Sequence, residues 1–362
     1  FFFKEDQTRT LESRVEDLSG ILFQAKLGTM KEKTYRIQAL AEMIAATIAP
    51  EQLALVSRAA FLSKADLLSE MVNEFPSLQG AMGRDYARLN GEAEEVAIAI
   101  HEHYMPVRAG SQLPGTVIGA IVSIADRIDT IAGCFGIGQI PSGSADPFGL
   151  RRQALGLIHI IEEKAFSLSL SSLVGKAYDL YTNKLSEDRE TTLTNSINFI
   201  KGRFTNDQTA QNIPPGAVEA VTSIIFDDIV DGKQRINALL EVSKQESFPL
   251  LAGSFKRVMN IIKEQHDGTV NQALLSAEAE KELYSAYLEV SGKAQPLIDS
   301  NAYLEALSII LQMKEPIDIF FDKVMVMTDK KDIRDNRLAL LSSIAALFLQ
   351  VGDFSKMSAV AA

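Results

Sequence analysis

Apolar residues recur at helical spacing along almost the whole chain, while alternating β-branched runs are nearly absent. That pattern leaves a mainly helical, all-α fold as the expectation. From Thr34, the residues Ile37, Leu40, Ala41, Ile44, Ala45 and Ile48 keep the i, i+3, i+4, i+7 order of an amphipathic helix, which Pro50 ends. A second helix is expected from Glu51 to about Phe75, and a third from Glu92 to His103, with acids in its first turn and Pro106 as its stop. Val117 to Ala132 resumes the period. Gly133, Gly136, Gly138, Pro141, Gly143 and Pro147 then read as a long glycine-rich loop before a helix from Phe148 to about Lys164. Phe1 to Phe3 read as the end of one strand.

With 362 residues, 46% hydrophobic and 23% charged, the chain can bury a sizeable core, and disorder is excluded. A serine-rich stretch at Ser167 to Ser172 suggests a first boundary, and the expected division is 1–166, a connecting body 167–232 broken by Pro214-Pro215, and a helical bundle 233–362 punctuated by Pro249, Gly268, Pro296 and Pro316. The net charge is −11, and acids exceed bases in both halves, so any nucleic-acid contact has to use local basic clusters on an acidic body. One cysteine, Cys134, excludes an intrachain disulfide, and four histidines leave little material for a metal site. A reducing, cytoplasmic setting is expected. The apolar stretch Val117 to Ala125 is far short of the roughly 20 residues of a membrane helix, so no membrane partner is expected. The opening Phe1-Phe2-Phe3-Lys4 lacks both Met and the marks of a signal peptide, and reads as an internal cut in a longer protein.

One constellation is His101-Glu102-His103 followed by Asp126 and Asp129. Histidines at i and i+2 leave opposite sides of a helix, so both cannot hold one metal unless the helix ends between them, and a helix-end histidine pair on a solvated or loop-facing surface is the default reading. The order helix, His-Glu-His, proline loop, then an apolar helix bearing Ala125-Asp126-x-x-Asp129 resembles the HD superfamily of metal-dependent phosphohydrolases. Where that family's His-Asp dyad would fall, the chain reads Ser63-Lys64-Ala65-Asp66, and no histidine precedes His101. Lysine offers donors only, so the resemblance implies an HD-like fold with a dismantled site at Lys64, Asp66, His101 and Asp126, without a bound metal.

The glycine-rich loop has no Walker lysine and follows no strand, so it fails as a phosphate cradle and a tight structural loop is its alternative. Asp146-Pro147-Phe148 with Arg151 and Arg152 nevertheless puts a helix start beside two guanidinium groups, which suits an anion or an RNA backbone. Phe135 to Ile161, Lys64-Ala65-Asp66-Leu67, Glu74-Phe75-Pro76-x-Leu78-Gln79-Gly80-x-Met82-Gly83-Arg84 and His101-Glu102-His103-Tyr104-x-Pro106 together resemble the β subunit of bacterial glycyl-tRNA synthetase. Phe2-Phe3-Lys4-Glu5-Asp6 and Phe23-Gln24-x-Lys26-Leu27-Gly28 resemble that subunit's middle, and the likeness covers essentially the whole chain.

The resemblance implies a ligase subunit with no catalytic residue and no cofactor of its own. It implies that ATP and Mg²⁺ belong to an α-subunit partner, in a hetero-oligomer of two α and two β chains, and that tRNA-Gly is bound through a DALR-type anticodon domain at 233–362. In that last segment, Phe321 and Lys323 precede Arg334, Asn336 and Arg337, and aromatic, amide and basic groups are what single-stranded bases require for stacking and edge contacts. Lys314 to Arg337 carries six basic and six acidic residues, so an amphipathic helix with a salt-bridged outer face stays open as the alternative. Lys256 and Arg257, with Lys263, form a second cluster suited to phosphates. The competing functions are a metal-dependent HD phosphohydrolase and an RNA-independent helical scaffold.

Overall fold

A computed structural model describes residues 1–262 and 268–359. By internal contacts the chain divides into two compact units, Phe1–Phe204 with Asp227–Val230, and Thr205–Phe226 with Asp231–Ala362. Both are helical, and the strands among the described residues form one short antiparallel hairpin, Leu22–Gln24 with Gly28–Thr29. The all-α expectation holds.

The first unit is organised on the helix Val117–Gly136, which is buried along nearly its whole length. It packs against the helices Met30–Ile48, Leu53–Leu62, Glu94–Glu102, Leu150–Lys164 and Leu170–Leu180. Isoleucines on several of its faces supply apolar area, and Gly119, Ala120, Ala125 and Ala132 between them let neighbouring backbones come close. Thr116 caps its start by accepting from Gly119 N at 3.0 Å, and the buried Glu102 carboxylate accepts the N–H groups of Gly115 and Thr116 at 2.9 and 3.0 Å.

Gly133 and Gly136 belong to this helix and not to the expected loop. The Tyr181 hydroxyl donates to the Asp129 carbonyl at 2.9 Å, and a Cβ on Gly133 would stand 2.2 Å from that hydroxyl. Close approach therefore outweighs the helix penalty of glycine. Gly133→Ala is expected to cost about 1–3 kcal/mol through overpacking. A urea midpoint equal to that of the parent would contradict this packing role.

The helix expected over Glu51 to Phe75 is broken into Leu53–Leu62, a 3-10 turn Ala65–Leu68 and a short helix Glu70–Glu74. The Ser63 and Ser69 hydroxyls donate to the carbonyls of Ala60 and Asp66 at 2.8 and 2.7 Å, competing with helix continuation, and the break brings Lys64 and Asp66 inside. The aromatic opening is also helical, Phe2–Asp6, and not a strand end. Its buried Asp6 carboxylate accepts the N–H groups of Glu70 and Met71 at 2.9 and 3.1 Å and the Tyr86 hydroxyl at 2.7 Å.

In the second unit the main helices are Ser247–Ile261, Glu278–Asp299, Tyr303–Ile310, Lys314–Lys323 and Lys331–Leu349. Pro249 and Pro316 do not separate helices as expected. Each is the third residue of one, where the missing N–H has no partner to lose. Pro296 lies within the last turns of Glu278–Asp299. The core stacks Phe255 on Phe348 with centroids 4.9 Å apart, and Phe354 closes on both. Among the described residues, no helix is long and apolar enough to cross a membrane.

Candidate functional site

Asp126 and Asp129, three residues apart on the central helix, face Lys33 and Arg36, three residues apart on Met30–Ile48. Lys33 Nζ lies 2.8 Å from Asp126 Oδ1 and 2.9 Å from Asp129 Oδ2, and it also donates to Thr130 Oγ1 at 2.8 Å. Arg36 Nε donates to Asp129 Oδ1 at 2.6 Å, and its guanidinium lies over the Tyr181 ring at 3.9 Å. The other oxygen of Asp126 is taken by Lys64 Nζ at 2.6 Å, and the same ammonium lies 2.9 Å from His103 Nε2. His103 Nδ1 lies 2.6 Å from the Ile100 carbonyl. Those two partners fix the tautomer: Nδ1 carries the proton and donates it, and Nε2 accepts from Lys64.

Burial alone would push the Asp126 carboxyl up, yet the Lys33 and Lys64 ammoniums overcome it and hold it well below the usual carboxylate range. Burial opposes charge on Lys33, but Asp126 and Asp129 raise it above an ordinary lysine. For Lys64, burial wins and moves it down, although Asp126 resists. Burial and the neighbouring Lys64 charge keep His103 neutral. Asp66 is fully buried and accepts the Gly80 N–H at 2.6 Å, while its Oδ1 has no partner, and burial pushes it up to about 6. Gly80 makes that bond from φ +79°, and a side chain there would meet the Tyr104 ring at 2.7 Å.

His101 and His103 diverge as their spacing requires, so only His103 joins the cluster, and His101 Nδ1 is buried without a partner. A divalent cation of the HD type does not fit these residues. Lys64 Nζ already bridges His103 Nε2 and Asp126 Oδ2, the two groups such an ion would need, and an ammonium excludes a second cation there. Beside the cluster opens a cleft of about 360 Å³ lined by residues including Gln79, His103, Tyr104, Arg127, Arg152 and Gln153.

The expected anion site at the start of the next helix is already satisfied from within. The helix begins at Leu150, and the Asp146 carboxylate accepts the N–H groups of Leu150 and Arg151 at 2.7 and 3.0 Å. Arg151 turns back to the Gly143 carbonyl at 2.9 Å. Arg152 is exposed and reaches the cleft.

In the second unit a groove of about 510 Å³ is lined by Arg257, Phe321, Lys323, Met325 and Met327 among others. Arg257 lies over the Phe321 ring at 4.3 Å, Lys323 is exposed, and Met325 and Met327 are 78% and 62% exposed, unusual for methionine and suited to adaptable apolar contact. Lys256 is exposed next to Arg257, while Lys263 lies outside the described residues. Arg334 is half-buried beside Asp335. Arg337 pairs with the buried Glu280 and donates to the Met325 carbonyl at 2.8 Å, and Asn336 is buried in mutual hydrogen bonds with Asn271 at 2.7 and 3.1 Å. Those two side chains hold the bundle together. Of the two arginines, Arg334 pairs with an acid of its own helix, Asp335, and Arg337 with one of another helix, Glu280.

Residues 1–223 match the family described as glycyl-tRNA synthetase beta subunit. The chain belongs to that family. Residues 252–357 match the DALR anticodon binding domain, and the groove of Arg257, Phe321 and Lys323 lies within the matched residues. Relatives named glycine–tRNA ligase beta subunit include those of Syntrophotalea carbinolica, 45% identical over 359 residues, Geobacter metallireducens, 48% identical over 359 residues, and Geobacter sulfurreducens, 49% identical over 329 residues. These alignments cover 99%, 99% and 91% of the chain and 52%, 52% and 48% of the relatives. The chain thus spans about half the length of the curated relatives it matches.

Sequence reasoning picked out Asp126 and Lys64 in this beta-subunit chain, named His101 where His103 is the histidine that joins the cluster, and missed Lys33, Arg36 and Arg127. A signal for two of them was present. Lys33 and Arg36 flank the apolar stripe that begins at Ile37, at the same i, i+3 spacing as Asp126 and Asp129 on an otherwise apolar helix.

Proposed function

We propose that the chain is the RNA-holding part of a glycine–tRNA ligase beta subunit, binding tRNA-Gly so that an α-subunit partner, with ATP and Mg²⁺, can charge its acceptor end. In this reading the assembly is two α and two β chains in the cytoplasm, and the chain carries no aminoacylation centre of its own. The observation that carries the reading is the match of 252–357 to an anticodon-binding domain whose surface groove combines Arg257 and Lys323 with the exposed Met325 and Met327. Cations at the rim suit phosphates, and flexible apolar thioethers beside them suit the faces of unstacked bases. The HD phosphohydrolase alternative conflicts with the Lys64 ammonium between His103 and Asp126.

Titration with tRNA-Gly and an anticodon-substituted tRNA tests this. Lys323→Ala is expected to weaken both RNAs alike and to lower the salt slope by about one. Met325→Ala is expected to cost about 0.3–1.5 kcal/mol of binding through the lost sulfur–base contact. Arg257→Ala separates base from phosphate contact according to whether the loss depends on the anticodon. If all three variants bind both RNAs as the parent does, the groove is not the RNA surface.

A further inference from the structure

The cleft beside the buried cluster has a charge problem that the protein does not solve by itself. Arg127 is 5% exposed, yet its guanidinium bonds only to neutral oxygens: Ser123 Oγ at 3.2 Å, Gln153 Oε1 at 2.9 Å and the Pro106 carbonyl at 3.0 Å. Buried charges are normally answered by an opposite charge, and here the nearest carboxylate, Asp126, has both oxygens committed to Lys33 and Lys64. Arg152, exposed on the same cleft, has no carboxylate partner among the described residues either. In the cleft lining, among the described residues, Arg127 and Arg152 are the cationic side chains, and Asp126, the carboxylate that joins them, is already paired with Lys33 and Lys64. The Tyr104 hydroxyl, which belongs to the same lining, is buried and makes no hydrogen bond of ordinary length.

We infer that this cleft is a metal-independent receptor for a phosphate monoester, held between Arg127 and Arg152 with Tyr104 and Gln79 as further donors. A phosphate monoester carries close to two negative charges at neutral pH, one for each of the two guanidinium groups, and these are the side chains best shaped to grip it. Lys64 makes the receptor independent of metal by taking the cation position between His103 and Asp126. The same substitution leaves no metal to activate water, so the ester is bound and not hydrolysed. The inference stands on the cleft alone and does not depend on the RNA reading of the second unit.

Two sources carry this chemistry, a free mononucleotide and the 5′ end of an RNA, and calorimetric titration separates them. The chain is titrated, in the presence of a chelator, with inorganic phosphate, AMP, adenosine, and a short RNA stem bearing either a 5′-phosphate or a 5′-hydroxyl. Binding of phosphate or AMP but not adenosine supports the receptor. A preference for the phosphorylated over the hydroxyl stem identifies an RNA end as the source, and AMP binding without that preference identifies a free nucleotide. Arg152→Met, at an exposed position, is expected to weaken the phosphate-dependent binding about tenfold or more. Arg127→Met is a second variant, with circular dichroism as its folding control. The proposal is overturned if no phosphorylated probe binds, if adenosine and the hydroxyl stem bind as well as their phosphorylated forms, if binding needs an added divalent ion, or if Arg152→Met binds like the parent.

Discussion

Replacing Asp129 with alanine is expected to cost about 3–5 kcal/mol of stability, the range for leaving a buried charge without its partner. The carboxylate is completely buried and is shared by Lys33 at 2.9 Å and Arg36 at 2.6 Å, so its loss strands cationic groups on a second helix. Lys33 can still turn to Asp126, whereas Arg36 keeps only the Tyr181 ring. Against a typical stability of about 5–15 kcal/mol, that loss is enough to threaten the fold. Removing the stranded charge as well should restore part of it: Asp129→Ala with Arg36→Met is expected to be less damaging than the sum of the two single changes. Denaturant midpoints by circular dichroism measure all four corners of this cycle. A shift below about 1 kcal/mol for Asp129→Ala would mean that water reaches Arg36, as at a surface ion pair.

How much of this was legible depends on which kind of information fixes each element. Helical periodicity carried the class and the central helix, because eighteen buried positions among the twenty of Val117–Gly136 leave no alternative to burial on nearly all sides. Glycine misled at Gly133 and Gly136. In the sequence they look like breakers, and only the Tyr181 hydroxyl and the Leu185 side chain, both distant along the chain, explain why a helix should contain them. Proline misled in the same way at Pro249 and Pro316, since its effect depends on its place in a helix and not on its presence. At the cluster, the dismantling of a metal site could be read from Lys64, but not what replaced the metal. That required knowing that the break after Leu62 turns the lysine inward onto His103 and Asp126.

The Lys331–Leu349 helix shows the same limit, and its prediction separates bracing from recognition. Arg334 and Arg337 are indistinguishable by spacing and charge, yet Arg337 is paired to Glu280, whose carboxylate also accepts the N–H groups of Ser276 and Ala277 at 2.6 and 2.8 Å. Arg337 thereby ties this helix to the start of Glu278–Asp299, with the Met325 carbonyl as its second partner. Arg337→Ala leaves a nearly fully buried carboxylate without its cation and is expected to destabilise the chain by about 3–5 kcal/mol. Arg334→Ala, half-buried beside Asp335, is expected to shift stability by no more than about 0.5 kcal/mol. RNA affinity should respond in the opposite order. At temperatures where both variants remain folded, Arg334→Ala is the one that bears on base or phosphate contact, while Arg337→Ala lowers affinity only as it loosens Met325 at the groove. Pairing Arg337→Ala with Glu280→Gln removes the stranded charge and should recover part of the lost stability without changing how the RNAs rank. If Arg337→Ala keeps the parent's unfolding midpoint but loses discrimination between the native and the substituted anticodon, the ion pair is incidental and Arg337 belongs to the recognition surface.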